Sequence, residues 1–82
     1  MPAKEVFKEW FDRGVEQGAT HMIVVCDTFD WEDFPVYVAP DENVREKADE
    51  YNKMSMQKVM EVYSLSKDFN EQHSQTRCFS WD

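Results

Sequence analysis

Between Gly14 and Val44 the chain contains neither lysine nor arginine. The same 31 residues hold seven acids (Glu16, Asp27, Asp30, Glu32, Asp33, Asp41 and Glu42), so almost all of the formal net charge of -8 falls there. That imbalance argues against direct nucleic-acid binding, which needs lysine and arginine to displace counterions from phosphates. It argues equally against docking on an anionic membrane. Glycine and proline are scarce: Gly14, Gly18, Pro2, Pro35 and Pro40 are all of them, and none lies beyond residue 40. Two cysteines, Cys26 and Cys78, are too few for a disulfide scaffold. No apolar run approaches the length of a membrane span. The stretch Met1-Pro2-Ala3-Lys4-Glu5 does not read as a signal peptide, because charges interrupt the first apolar residues. The expected location is therefore the cytoplasm, with both thiols reduced.

What is present is enough to fold. The 82 residues form one expected domain, 1–82, and a hydrophobic content of 41% with 15% aromatics is too apolar for a disordered acidic tail. Residues 3–17 read as an amphipathic helix, with Val6, Phe7, Trp10, Phe11, Gly14 and Val15 on one face. Pro2 suits its first turn, and Gly18 suits the residue just past its end. Thr20–Thr28 reads as a strand that is apolar on both faces, the pattern of a strand central in a covered sheet. Val36–Val38 reads as a short edge strand between Pro35 and Pro40.

From Asp41, read as an N-cap, the stripe Val44, Ala48, Tyr51, Ser55, Val59 and Val62 keeps helical spacing, widened by Met54, Met56, Met60 and Tyr63. One long helix is expected there. Ser66 reads as the cap of a short helical turn over 67–72. The alternating segment Thr76–Trp81 reads as a last strand beside the first. The expected fold is α+β: a small antiparallel or mixed three-stranded sheet packed against an N-terminal helix and a long helix, in the order α-β-β-α-α-β.

The candidate site is the run Asp27-Thr28-Phe29-Asp30-Trp31-Glu32-Asp33-Phe34, where acids alternate with large aromatics. Read as a connecting loop, it offers Asp27, Asp30, Glu32 and Asp33 as a row of carboxylates able to imitate phosphates. Phe29, Trp31 and Phe34 are the side chains to enter a partner's pocket, Trp31 first among them. Asp41 and Glu42, at the start of the long helix, are expected to extend the same acidic face. The bland alternative is that Phe29 and Phe34 fold back over the core while the acids keep the loop hydrated.

Other chemistry is poorly represented. The four carboxylates of residues 27–33 bring enough charge for a hard cation, but there is no calcium-loop spacing and no glycine among them. His21 with Cys26, and His73 with Cys78, repeat a spacing. On a strand, however, His21 and Cys26 face opposite ways about 16 Å apart, so they cannot share a zinc ion. No nucleophile elbow, phosphate-cradling glycine loop or HExxH motif is present. No catalytic residue, metal ligand or cofactor is assigned.

The run Gly18-Ala19-Thr20-His21-Met22-Ile23-Val24-Val25-Cys26-Asp27-Thr28-Phe29-Asp30-Trp31-Glu32-Asp33-Phe34-Pro35-Val36-Tyr37-Val38 resembles segments of short bacterial and phage accessory proteins of no named family. The resemblance implies a small accessory or anti-defence protein and assigns no functional residue. The expected function is thus that of an acidic, non-enzymatic interaction protein. It would act as a phage- or bacterium-encoded inhibitor, a nucleic-acid mimic that occludes a basic site on a partner protein. A homodimer, formed through an apolar helix face or a free sheet edge, is a secondary expectation. A module binding a small molecule or divalent metal is the alternative function.

Overall fold

The computed structural model describes residues 3–82. Met1 and Pro2 lie outside the described residues, and so does the place expected for Pro2 in the first helical turn. The elements are α1 (Lys4–Gln17), β1 (His21–Asp27), β2 (Glu32–Val38), α2 (Val44–Lys53), β3 (Gln57–Ser64) and α3 (Phe69–His73). The class is α+β, with a three-stranded antiparallel sheet in the order β2-β1-β3. The central position expected for the first strand is the one it takes.

Both sheet faces are covered, which explains why β1 is apolar on both sides. Ile23, Val25, Val36, Val38, Val59 and Val62 pack with Val44 and Ala48 of α2. On the other face Met22, Val24 and Tyr63 pack with Phe7 and Phe11 of α1, Phe69 of α3, and Cys78. Rings dominate this second layer: Phe7 stacks on Tyr63 at 6.3 Å, and Phe69 stacks on Tyr63 at 5.8 Å.

α1 follows its amphipathic pattern, burying Phe7, Phe11 and Gly14, and it ends at Gly18 in the left-handed conformation (φ 79°). Val15, expected on the buried face, is 51% exposed. Gly14 is needed for contact rather than for a turn. A Cβ there would lie 2.7 Å from Leu65 Cδ1 and 2.8 Å from the Tyr37 ring. That ring is pinned, since Tyr37 Oη donates to the Trp10 carbonyl at 2.7 Å.

The expected long helix is instead a helix, a turn and a strand. α2 is capped by Asn43, whose side chain accepts from Glu46 N at 3.0 Å, rather than by Asp41. It stops at Lys53, and Asn52 Oδ1 accepts from Val59 N at 2.9 Å, holding the turn against the following strand. The 3- and 4-residue spacings of Val59, Val62 and Tyr63 imitated a helical stripe for two reasons. β3 is buried on both faces, so period-2 alternation is lost. It also carries a bulge: Val24 pairs with Glu61 and Val25 with Val59, which leaves Met60 as the extra residue.

The third strand therefore precedes the third helix, giving helix, strand, strand, helix, strand, helix. α3 is capped by Asp68, not Ser66, with Asp68 Oδ2 accepting from Glu71 N at 2.9 Å. The segment 76–81 does not lie beside β1, because both edges of β1 are taken by β2 and β3. It makes one parallel bridge, Val62 to Phe79, on the outer edge of β3, through Val62 N–Cys78 O (2.8 Å) and Ser80 N–Val62 O (2.9 Å).

A buried polar network secures that edge. Gln72 Oε1 accepts from Ser64 N at 2.7 Å, while its Nε2 donates to the carbonyls of Ser64 (2.9 Å) and Asp68 (3.1 Å). Glu61, also buried, accepts from Tyr63 Oη and from Cys78 N, both at 3.3 Å.

Candidate interaction surface

β2 is longer than the sequence suggests. It begins at Glu32, so the connection is only Thr28–Trp31. Asp27, Glu32, Asp33 and Phe34 are strand residues, not loop residues. Phe34 pairs with Val25 and packs against the α2-side core, so it is not an exposed contact. Phe29 and Trp31 have the opposite fate: they are 72% and 74% exposed. The core-lid reading holds for Phe34 and fails for Phe29.

The tip is a folded turn. Asp27 Oδ1 accepts from Phe29 N at 2.9 Å, and the Asp27 carbonyl accepts from Trp31 N at 2.6 Å. Trp31 sits at φ 58°, a conformation ordinarily left to glycine, asparagine or aspartate.

A second turn abuts the first. Thr28 N donates to the Met56 carbonyl at 2.8 Å, and Asp27 pairs with Gln57. This turn is closed by Gln57 N to Met54 O at 3.3 Å. Its third residue, Met56, has φ 64°, again at a position where glycine is the usual choice. Met54 and Met56 are 49% and 55% exposed. Helical spacing puts both on a helix face; only the αL backbone and the turn show otherwise, and no period in the sequence signals them. Trp31 and Met56 are the non-glycine residues with positive φ among the described residues. Phe29, Trp31, Met54 and Met56 are four of the six exposed large hydrophobic side chains among the described residues. They lie in the two joined turns at one end of the sheet.

Acids flank this end. Asp30 and Glu32 are exposed, while Asp27 and Asp33 are partly covered. Among the described residues none of the four makes an ion pair within 4 Å. Lys53 and Lys58 are exposed on the methionine side. Asp33 also pairs with Cys26 across the strands. Burial first, and then the hydrogen bond and charge of Asp33, push the Cys26 thiol above its ordinary range.

Asp41 and Glu42 do not join this surface. They follow the far end of β2, about 20 Å along a seven-residue strand from the tip. Glu42 is engaged internally. It accepts from Ala39 N at 2.9 Å and from Lys47 Nζ at 2.9 Å to each oxygen, and these bonds hold its carboxyl below the usual range. Lys47 also donates to the Tyr37 carbonyl at 3.1 Å, on the strand whose other side is free. With Pro35 lacking an N–H, this edge is a poor template for an added strand.

The cysteines and histidines are scattered. Cys78 Sγ contacts Val62 O (3.3 Å), Ser80 Oγ (3.2 Å) and Gln72 Oε1 (3.8 Å), and burial raises its pKa. A thiol held protonated in this way is a weak nucleophile. His73 stacks on Phe69 at 5.3 Å as part of the aromatic layer. His21 Nδ1 is 2.9 Å from Thr20 Oγ1. Among the described residues no three His, Cys, Asp or Glu side chains gather as metal ligands, and no helix is long and apolar enough to cross a membrane. Comparison with family models, with curated proteins and with solved structures finds no match.

Proposed function

We propose that the protein is a non-enzymatic interaction module that binds a partner protein through the hairpin end of its sheet. The observation that carries this reading is the exposure of Phe29 and Trp31, 72% and 74%, on a turn that is itself hydrogen-bonded. Large aromatics held out in water by a defined backbone cost stability and favour contact with another surface. Asp27, Asp30, Glu32 and Asp33 surround them with unpaired negative charge, which suits a partner whose rim is basic.

If that partner carries a nucleic-acid channel, the carboxylates occupy positions meant for phosphates, Trp31 anchors the contact, and the effect is inhibition by occlusion. Such a role fits a phage- or bacterium-encoded accessory protein working in a cytoplasm that keeps Cys26 and Cys78 reduced; both thiols are free and buried.

The test is capture from the source cell with the intact protein and with Trp31→Ala, followed by a salt titration of the isolated complex. Binding that is lost with Trp31→Ala and weakens as salt rises is the expected result. Equal recovery by both proteins removes the hairpin from the interface, and affinity that stays flat with salt removes phosphate mimicry.

A further inference from the structure

We infer that the recognition surface consists of two turns, not one, and that it fits an apolar cleft with an asymmetric rim on a partner protein, basic on the side that meets the hairpin. The inference rests on the interaction reading above and adds to it the Met54–Gln57 turn, the removal of Asp41 and Glu42, and the polarity of the partner.

The geometry joins the turns. The Thr28 N–Met56 O bond of 2.8 Å and the Asp27–Gln57 pairing leave the tips no independent position. The exposed side chains are an aromatic pair on one turn and a methionine pair on the other. Aromatic rings supply rigid area to a contact, whereas methionine adapts to an irregular wall, so together they suit a cleft rather than a flat surface.

Backbone and side chain conflict at Trp31 and Met56. Each places a large apolar side chain at a positive φ, at a steric cost that glycine would avoid. Both side chains are exposed, Trp31 by 74% and Met56 by 55%, so neither recovers that cost by packing in the core.

Charge selects the occupant. Asp27, Asp30, Glu32 and Asp33 border the hairpin, whereas Lys53 and Lys58 border the methionine turn. A second copy meeting this end hairpin to hairpin would oppose four carboxylates with four more, so that arrangement is disfavoured. The same carboxylates oppose insertion into an anionic bilayer. A protein cleft with lysine or arginine along the hairpin side satisfies both the charge and the apolar surface, and Lys53 and Lys58 fix which way round it binds.

The test uses surrogate probes of stated chemistry: an amphipathic Leu/Lys helix of about 18 residues, a Leu/Glu helix of the same pattern, and neutral phosphatidylcholine vesicles. Backbone amide shifts map the contact, and titration gives affinity. Trp31→Gly and Met56→Gly are the variants of choice, because glycine accepts φ 58° and 64° and so removes the side chain without straining the turn.

The expected result is that the Leu/Lys helix shifts the resonances of residues 28–31 and 54–57 and leaves 39–43 unmoved. The Leu/Glu helix should bind at least about 10-fold more weakly, and each glycine variant should lose at least about 5-fold. Equal binding of the two peptides overturns the basic rim. Vesicle binding at this end, without peptide binding, overturns the protein cleft. If Trp31→Gly weakens binding and Met56→Gly does not, the two-turn surface falls while the hairpin interface stands. If neither matters, both fall.

Discussion

The two ends of the sheet make opposite use of similar residues. At the end where β2 runs into α2, polar groups are consumed internally. Glu42 holds Ala39 N and Lys47, Lys47 holds the Tyr37 carbonyl, Asn43 caps α2, and, nearby, Gln72 spans both backbone groups of Ser64. At the hairpin end, acids of the same type make no ion pairs among the described residues, and four large apolar side chains stand in water. Negative charge alone therefore does not distinguish the two ends. At the hairpin end it lies without an ion pair beside exposed apolar side chains.

Breaking the closed end should cost most. Gln72→Leu strands the amide and carbonyl of fully buried Ser64, and should lower unfolding free energy by about 2–4 kcal/mol in denaturant titration. A loss under about 1 kcal/mol would mean that the network is not holding that edge. Asn43→Ala, which removes the N-cap of α2, should cost about 1 kcal/mol by the same measurement.

At the open end the sign should reverse. Trp31→Gly and Met56→Gly should each leave the unfolding free energy unchanged or raise it by up to about 1 kcal/mol of relieved strain. A clear loss of stability in either would show that these side chains serve the fold.

The smallest effect concerns pH. Glu42 has its folded pKa depressed, chiefly by the Ala39 N–H and then by Lys47. Its contribution is therefore present above the ordinary glutamate range and fades as pH falls through the lower folded value. Glu42→Gln should thus reduce stability slightly at neutral pH and converge with the parent in acid. A difference that persists unchanged into acid would contradict that role. Because Glu42 is exposed, the difference should be small and diminished by salt.

The sequence revealed most where a pattern had a single physical meaning. The stripe of Phe7, Phe11 and Gly14 with Gly18 beyond it locates α1, and the two-faced apolar run of β1 places it at the centre of the sheet. It misled where two periods coincide. Val59, Val62 and Tyr63 satisfy a helical spacing because the bulge at Met60 inserts one residue into a strand buried on both sides. That substitution of strand for helix also displaced the last segment from β1 to the outer edge of β3.

At the candidate site the exposure of Trp31 agrees with its expectation. Phe34 proved to be a core side chain, and Asp41 and Glu42 belong to the opposite end. Met54 and Met56 were invisible as surface residues, because their exposure follows from a turn that no glycine or proline announces.

Hydroxyl-radical footprinting of the protein, free and bound to its captured partner, reads the hairpin end directly, since tryptophan, phenylalanine and methionine all report by side-chain oxidation. Strong labelling of Phe29, Trp31, Met54 and Met56 is expected in the free protein and protection of all four in the complex, with Val15 and Phe79, the other large apolar residues exposed among the described ones, unchanged. Unaltered labelling of the four on binding, or protection confined to Val15 or Phe79, would contradict this expectation.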